Sequence, residues 1–178
     1  SLNAFAIPGG HVYVNTGLIV AAESPAELAG VMAHEVAHGV ARHGTERMTK
    51  VYGLSVVGSL ILGEDPGLLE QIAAQIIGSG AVARFSRKDE TEADALGLDY
   101  LYEAGYPPEA MGTMFETLLA QRERRPNLVE RFFATHPLTE RRIEAVEEAA
   151  AALPPRTETA PPLADFSQIQ QRAARYGA

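Results

Sequence analysis

The sequence contains no cysteine, and this absence excludes both disulfide bonds and catalysis by a thiol. A protein metal site in this chain must therefore be built from histidine nitrogens and carboxylate oxygens, because thiolate ligands are missing. The lack of cysteine is compatible with reducing and with oxidising compartments and does not choose between them. Targeting is equally open, since the chain begins with Ser1 rather than methionine, and we interpret it as a mature or trimmed form.

Basic residues and long apolar runs are also scarce. The chain has 15 Lys and Arg against 23 Asp and Glu, which gives a formal net charge of -8. Phosphate binding requires clustered positive charge, so we predict no nucleic-acid partner, and anionic membrane surfaces are disfavoured for the same reason. No apolar run reaches the roughly 18 residues that a membrane-spanning helix needs. The nearest, Val51–Gly63, contains three glycines and predicts a buried or interfacial helix instead.

The 178 residues are enough for one domain that folds without cross-links. We predict a mainly helical α+β fold in which β-forming residues and a Pro-Gly-Gly turn make a short antiparallel hairpin within residues 4–20. Proline-rich sequence between residues 154 and 162 predicts a linker, which divides a domain at 1–153 from a tail at 154–178. Start and stop signals predict helices over residues 25–43, 49–62, 68–83, 87–104, 108–124 and 139–152, with a short docking helix over 166–176.

The central motif is His-Glu-Val-Ala-His at residues 34–38, inside the predicted helix 25–43. One turn of helix separates His34 from His38, so both rings can reach one Zn²⁺ ion about 2.0–2.1 Å away. Glu35 is offset by one position, which makes it a poor ligand but a good base for water on the open side of the metal. The apolar sector of this helix that we expect to face the core comprises Leu28, Val31, Met32 and Val36.

Two histidines do not complete a catalytic zinc site, so a third protein ligand is needed. Glu90 and Asp94 are again one turn apart, on a second amphipathic helix, whereas Glu92 points to the opposite side. We predict that Glu90 is the third ligand. Asp94 then accepts the free N–H of a ligand histidine and fixes its tautomer. An ordinary solvated acidic helix face is the alternative for this segment.

Further candidates lie outside these two helices. His136 precedes Pro137 in a predicted loop and is a candidate fourth, exchangeable ligand or donor to the developing oxyanion, with a surface histidine as the alternative. Arg142 can orient His136 or clamp the oxyanion, with a solvated helix arginine as the alternative. We assign His43 a structural role at the end of the first helix. We expect Gly39 to allow close approach of another element.

Four blocks, in order, resemble the HtpX, CAAX-prenyl-protease and BepA type of zinc metallopeptidases, the compact gluzincins. The resemblance spans residues 3–143. Its blocks are Asn3 to Gly10, His34 to His38, Glu90 to Asp94, and Thr135-His136-Pro137 with Arg142-Ile143.

This resemblance implies a zincin-like α+β fold with a small sheet beside the HExxH helix, whose edge strand, 4–7 or 11–15, binds substrate backbone by strand addition. It implies an endopeptidase with one Zn²⁺ per chain, acting on polypeptides that are often misfolded or membrane-associated, and it places His136 close to the metal. It also implies an exported or membrane-associated location. The apolar stretches Val51–Gly63 and Ile72–Ala83 are candidate contact surfaces for a membrane or a partner protein. The oligomeric state is not predicted.

An alternative function follows from His136. A fourth protein ligand would displace the catalytic water and close the site, as in structural zinc sites. The chain would then be a latent or chaperone-like peptide-binding module rather than an active peptidase. A purely structural helical domain with fortuitous motifs is the remaining alternative.

Overall fold

A computed structural model describes residues 1–7, 9–47, 49, 53, 84–155, 159–160 and 165–176. Its strands are β1 (Ala4–Ile7) and β2 (His11–Val14). Its helices are α1 (Thr16–Ala21), α2 (Pro25–Val40), α3 (Arg87–Glu103), α4 (Ala110–Arg124), α5 (Pro126–Thr135), α6 (Glu140–Ala152) and α7 (Phe166–Tyr176). The predicted mainly helical α+β class with a small antiparallel sheet is confirmed.

Two predicted helices, over residues 49–62 and 68–83, fall almost entirely outside the described residues, apart from Thr49 and Gly53. The candidate contact surfaces Val51–Gly63 and Ile72–Ala83 lie there as well. None of the helices that the structure describes combines the length and the apolar character needed to cross a lipid bilayer.

The N-terminal hairpin pairs β1 with β2 in antiparallel register, with Phe5 opposite Tyr13. The two rings stack with their centroids 5.2 Å apart. The turn uses Gly9 at φ 104° and Gly10 at φ 87°, backbone angles that side chains other than glycine rarely adopt. The predicted strand character up to residue 20 is wrong beyond β2, because α1 begins at Thr16 directly after the strand.

Helix α2 starts where the sequence predicts, because Ser24 caps it and Pro25 occupies its first position. The Ser24 hydroxyl accepts the backbone N–H of Glu27 at 3.1 Å, and the Glu27 carboxylate accepts the backbone N–H of Glu23 at 2.8 Å. The helix ends at Val40, three residues before the predicted end at 43. Arg42 adopts a positive φ of 60°, which interrupts the helical path before His43.

The inward face of α2 differs from the predicted apolar sector. Val31 is buried at 2% exposure, but Met32 and Val36 are 41% and 40% exposed. Small and polar residues turn inward instead, because the helix presents the His-Glu-Val-Ala-His motif to the interior. The buried set is Ala26, Glu27, Gly30, Val31, His34, Glu35, Ala37 and His38.

Two apolar clusters flank α2 and hold it in the centre of the fold. One joins α2 to α3, α4 and α6 through Ala26, Leu98, Leu101, Ala110, Met111, Phe115, Leu138, Ile143, Val146 and Ala150. The other joins α2 to the hairpin, α1, α4 and α5 through Leu2, Ala4, Leu18, Ala22, Val31, Met114, Leu118, Val129 and Phe132. The burial of apolar surface on both sides therefore fixes the helix that carries the motif.

Helix α5 was not among the predicted helices. Pro126 ends α4 as expected but also occupies the first turn of α5, where a missing N–H breaks no hydrogen bond. The helix runs to Thr135, and the backbone N–H of His136 donates to the Phe132 carbonyl at 2.8 Å. His136 is therefore held at a helix end rather than in a free loop.

The C-terminal tail docks through α7, as the sequence suggested. The Gln170 side-chain amide donates to the carbonyls of Ile19 at 3.2 Å, Val20 at 3.4 Å and Ala22 at 2.7 Å. These carbonyls lie at the end of α1, where no further helical turn satisfies them. The division into a domain at 1–153 and a tail at 154–178 stays a prediction.

Candidate metal centre

His34 and His38 form the base of the site on α2. Both rings are 2% exposed, and their Nε2 atoms converge to 3.0 Å. One helical turn places the two rings side by side, as the motif predicts. Their Nδ1 atoms point outward and contact other protein groups, so each histidine offers its Nε2 lone pair to the interior of the site.

Glu90 comes to the same point from α3. Its Oε1 lies 3.5 Å from His38 Nε2, and its Oε2 lies 3.7 Å from His34 Nε2. Helix α3 begins one turn earlier with a complete capping box between Ser86 and Asp89, which sets the position of Glu90. Glu92 is exposed and is not one of the clustered donors.

Gly97 allows the two helices to approach each other. A Cβ atom at Gly97 would lie 3.0 Å from both Cα and N of His34 and 3.1 Å from Met111 Cε. The absent side chain is therefore what lets α3 pack directly on the backbone of a candidate metal ligand. A Cβ at Gly39 would meet nothing within 4 Å among the residues that the structure describes, so the close approach expected there stays a prediction.

His136 adds a fourth donor. Its Nδ1 lies 3.1 Å from Glu90 Oε1 and 3.4 Å from His34 Nε2. The ring is 1% exposed and stacks on Phe132, with the centroids 5.1 Å apart. The alternative of a surface histidine is therefore wrong, since the side chain is buried within the donor group.

The four side chains fit a divalent metal ion. One donor atom from each of His34, His38, Glu90 and His136 lies within 4.8 Å of every other. Ligands about 2.0–2.1 Å from a tetrahedral Zn²⁺ lie about 3.3 Å apart, which is close to the separations found here. Three imidazole nitrogens and one carboxylate oxygen are also a donor set that zinc favours. Within the described part of the chain, no second such group occurs.

Glu35 lies beside this group without joining it. Its side chain is 1% exposed, and Oε2 accepts the backbone N–H of Ala6 in β1 at 3.1 Å. Oε1 lies 3.3 Å from Nε2 of His136. The carboxylate therefore stands between the strand edge and the donor group, which is where a base acting on a metal-bound water would be required.

Asp94 and Arg142 contact two of the candidate ligands, His34 and Glu90 respectively. Asp94 Oδ1 lies 3.0 Å from Nδ1 of His34, as predicted for a partner that fixes the tautomer. The Arg142 guanidinium is buried against Asp94, the Glu90 carboxylate and the Pro137 carbonyl. The solvated-arginine alternative is therefore wrong. The contacts that the structure gives this guanidinium favour positioning of the ligands over an oxyanion clamp.

Burial and neighbouring charge shift the pKa values of the two histidines on α2 in opposite directions. Burial, together with the nearby His34 and His136 rings, lowers the pKa of His38 to about 3 against the opposing effect of Glu90. Burial also works to lower the pKa of His34, but the hydrogen bond and charge of Asp94 outweigh it, and that pKa is raised. A neutral His38 offers its lone pair to a cation, while Asp94 favours the proton of His34 on Nδ1.

The pKa values of the two carboxylates Glu35 and Glu90 are also shifted in opposite directions. Burial raises the pKa of Glu35, and the nearby histidines only partly offset it. Burial opposes ionisation of Glu90 too, but hydrogen bonds from His136 and His38 outweigh it and hold its pKa well below the ordinary value. The protein thus favours an ionised ligand at Glu90 and a more basic carboxylate at Glu35, the combination that general base catalysis uses.

His43 contacts His38, although the sequence analysis did not assign it to the site. Its ring is 5% exposed, and its Nδ1 lies 2.9 Å from Nδ1 of His38. Phe85 stacks on a face of the His38 ring, with the centroids 4.0 Å apart. His43 follows the end of α2, so helical periodicity did not predict its return to His38.

A model of the family described as peptidase family M48 matches residues 1–150 of the chain. This chain belongs to peptidase family M48. The resemblance drawn from the four sequence blocks is thereby confirmed, and the blocks all fall within the matched residues.

Several metalloendopeptidases and proteases match most of this chain. The chain is 36% identical over 146 residues to the mitochondrial metalloendopeptidase OMA1 of Schizosaccharomyces pombe. The aligned residues cover 82% of this chain and 43% of that protein. The chain is 37% identical over 166 residues to the putative beta-barrel assembly-enhancing protease of Vibrio cholerae, with 87% and 34% covered. For the beta-barrel assembly-enhancing protease of Escherichia coli K12, identity is 29% over 163 residues, with 86% and 33% covered. The chain therefore spans less than half the length of these curated relatives.

Proposed function

We propose that this chain is the catalytic domain of a zinc-dependent endopeptidase that hydrolyses peptide bonds of polypeptide substrates. The observation that carries the proposal is the buried donor group of His34, His38 and Glu90 with the Glu35 carboxylate directly beside it. Membership of a peptidase family supports the same activity. Zinc, held by these ligands, would lower the pKa of a bound water towards about 7 and polarise the scissile carbonyl.

The role of Glu35 follows from its surroundings. A carboxylate with a raised pKa accepts a proton from water more readily and can later deliver it to the leaving amine. Its neighbours in this structure, the Ala6 N–H and the His136 ring, hold the carboxylate in place between strand and donor group. Glu35 would thus shuttle one proton while His34 and His38 keep the metal.

Substrate binding would use β1. This strand pairs with β2 on one side, and the N–H of Ala6 turns to the other side, towards α2. An extended peptide could add to that edge and accept the Ala6 N–H in place of Glu35. Because the relatives include a mitochondrial metalloendopeptidase and a putative beta-barrel assembly-enhancing protease, we extend the proposal to misfolded or membrane-associated polypeptides. We extend it likewise to an exported or membrane-associated location.

The test compares Glu35→Gln with the wild-type chain for zinc content and for hydrolysis of an unstructured protein such as casein. The variant should keep one zinc per chain and lose activity by about 10²–10⁴-fold, since the ligands remain and the base is gone. Glu123→Gln, at an exposed position, is the matched control and should behave as wild type. Unchanged turnover in Glu35→Gln would refute the proposed mechanism.

One observation favours a second candidate, a latent form closed by His136. The Nδ1 of His136 is as close to the other donors as they are to one another, and its Nε2 lies against Glu35. A site with four protein ligands has no position for the catalytic water. X-ray absorption at the zinc edge counts the imidazole ligands, with three supporting the latent form and two, beside a carboxylate and a water, supporting the open enzyme. His136→Ala should gain hydrolysis in the first case and lose it in the second.

A further inference from the structure

We propose that His43 is a positioning residue that orients the metal ligand His38 by accepting its Nδ1–H, so that the two ligand histidines are held by different partners. This inference rests on the proposed zinc site. His34 has the carboxylate of Asp94 behind it at 3.0 Å, whereas His38 has the imidazole of His43 behind it at 2.9 Å. A ligand histidine almost always donates its second ring N–H to such a partner, and that partner sets its orientation and basicity.

The tautomers follow from this geometry. The Nε2 of His38 belongs to the donor group, so a metal on Nε2 requires the ring proton to be on Nδ1. Only one proton can lie between the two Nδ1 atoms of His38 and His43, so His43 must accept. His43 then carries its own proton on Nε2, which faces Glu92 Oε2 at 3.7 Å. The negative charge of Glu92 favours a proton at that position.

The surroundings hold both rings in place. His43 is buried, so water does not readily replace it as the acceptor of the His38 proton. Phe85 stacks on His38 and lies with its centroid 6.3 Å from that of His43, which limits rotation of the pair. His43 therefore restricts His38 to the ring orientation in which Nε2 faces Glu90 and His34.

The test separates hydrogen bonding from space filling with two substitutions. His43→Leu keeps a buried side chain but removes the acceptor, and it should weaken zinc binding by about 10–100-fold. His43→Asn places an amide oxygen near the position of Nδ1 and should restore most of the affinity. Zinc affinity is measured by competition with a chromogenic chelator, and His11→Leu on the exposed strand position is the matched control.

A second measurement needs no variant. Long-range ¹H–¹⁵N spectra of the zinc-loaded wild-type chain should show His38 protonated at Nδ1 and His43 protonated at Nε2. The reverse protonation of either ring overturns the inference, even if His43→Leu fails to fold. Folding of each variant is checked by circular dichroism and by the thermal midpoint of the zinc-free chain.

The outcomes also distinguish this inference from the proposed function. If both His43 variants bind zinc like wild type while Glu35→Gln still abolishes hydrolysis, His43 has no positioning role and the peptidase proposal stands. If the wild-type chain itself binds no zinc, both are overturned. Weaker zinc binding in His43→Leu, with recovery in His43→Asn, supports the assigned role.

Discussion

The guanidinium of Arg142 and the carboxylate of Asp94 form a two-point ion pair, with Nε to Oδ2 and Nη2 to Oδ1 both at 2.7 Å. Such a paired arrangement matches the planar fork of arginine and is among the stronger polar contacts in proteins. The remaining nitrogen, Nη1, contacts the Glu90 carboxylate and donates to the Pro137 carbonyl at 3.0 Å. One side chain from α6 therefore ties together a candidate ligand, the partner of His34 and the segment that follows His136.

Removal of this side chain should destabilise the fold. Arg142→Ala leaves the buried Asp94 carboxylate without its cation, a change that typically costs about 3–5 kcal/mol in the free energy of unfolding. Arg142→Lys keeps the charge but not the two-point geometry and should lose less. Urea denaturation of the zinc-loaded chain measures both. Arg141→Ala, exposed on the same helix, should remain within about 0.5 kcal/mol of wild type.

The candidate metal ligands on helices could be predicted because helical spacing places the residues of each helix on one face. His34 and His38 share a face at one turn, and so do Glu90 and Asp94, and the only further requirement was that the two helices pack. The structure places them together. For His136 the sequence left three interpretations open, because nothing in its neighbours sets the direction of a residue at the end of an unpredicted helix.

Other contacts depend on tertiary packing that has no local signal. His43 reaches His38 only because α2 ends at Val40 and the chain reverses at Arg42, where a non-glycine residue takes a positive φ. Gly97 carried a signal, since glycine inside a helix costs about 1 kcal/mol and usually has a packing reason. The partner that it approaches, the backbone of His34, could not be named from the sequence alone.

Gly97→Ala should loosen the contact between α2 and α3. The added methyl would lie 3.0 Å from backbone atoms of His34, which cannot rotate away as a side chain can. We expect a net loss of about 1–3 kcal/mol in stability despite the better helix propensity of alanine. Zinc affinity should fall as well, because the shift separates Glu90 from the two histidines. Urea denaturation and chelator competition give the two readouts.

Gly39→Ala is the matched control for that substitution. It also lies inside a helix, but none of the described part of the chain would come within 4 Å of its Cβ. The change in stability is then set by the better helix propensity of alanine alone. The variant should gain up to about 1 kcal/mol in the free energy of unfolding. If Gly97→Ala gained stability like Gly39→Ala, the close approach of the two helices would not be a constraint on the site.

Zinc removal should lower the stability of the folded chain. A ligand that binds only the native state stabilises it by about 4 kcal/mol when its free concentration is 1,000 times its dissociation constant. Unfolding by urea in buffered zinc and in excess chelator should therefore differ by a free energy of this order. The double variant His34→Ala/His38→Ala should show no such difference. Equal unfolding midpoints for the wild-type chain in zinc and in chelator would mean that the folded state does not bind the ion.

The C-terminal helix offers a test of how far the tail contributes to the domain. The Gln170 amide donates to three carbonyls at the end of α1, with the shortest distance, 2.7 Å, to Ala22. Gln170→Ala should cost about 1 kcal/mol, the net contribution of a typical hydrogen bond, and should speed amide exchange in α1 and α7. Gln171→Ala, on the exposed side of the same helix, changes helix propensity equally but removes no such contact. If the two variants unfold at the same urea concentration, docking of α7 through Gln170 adds nothing to stability.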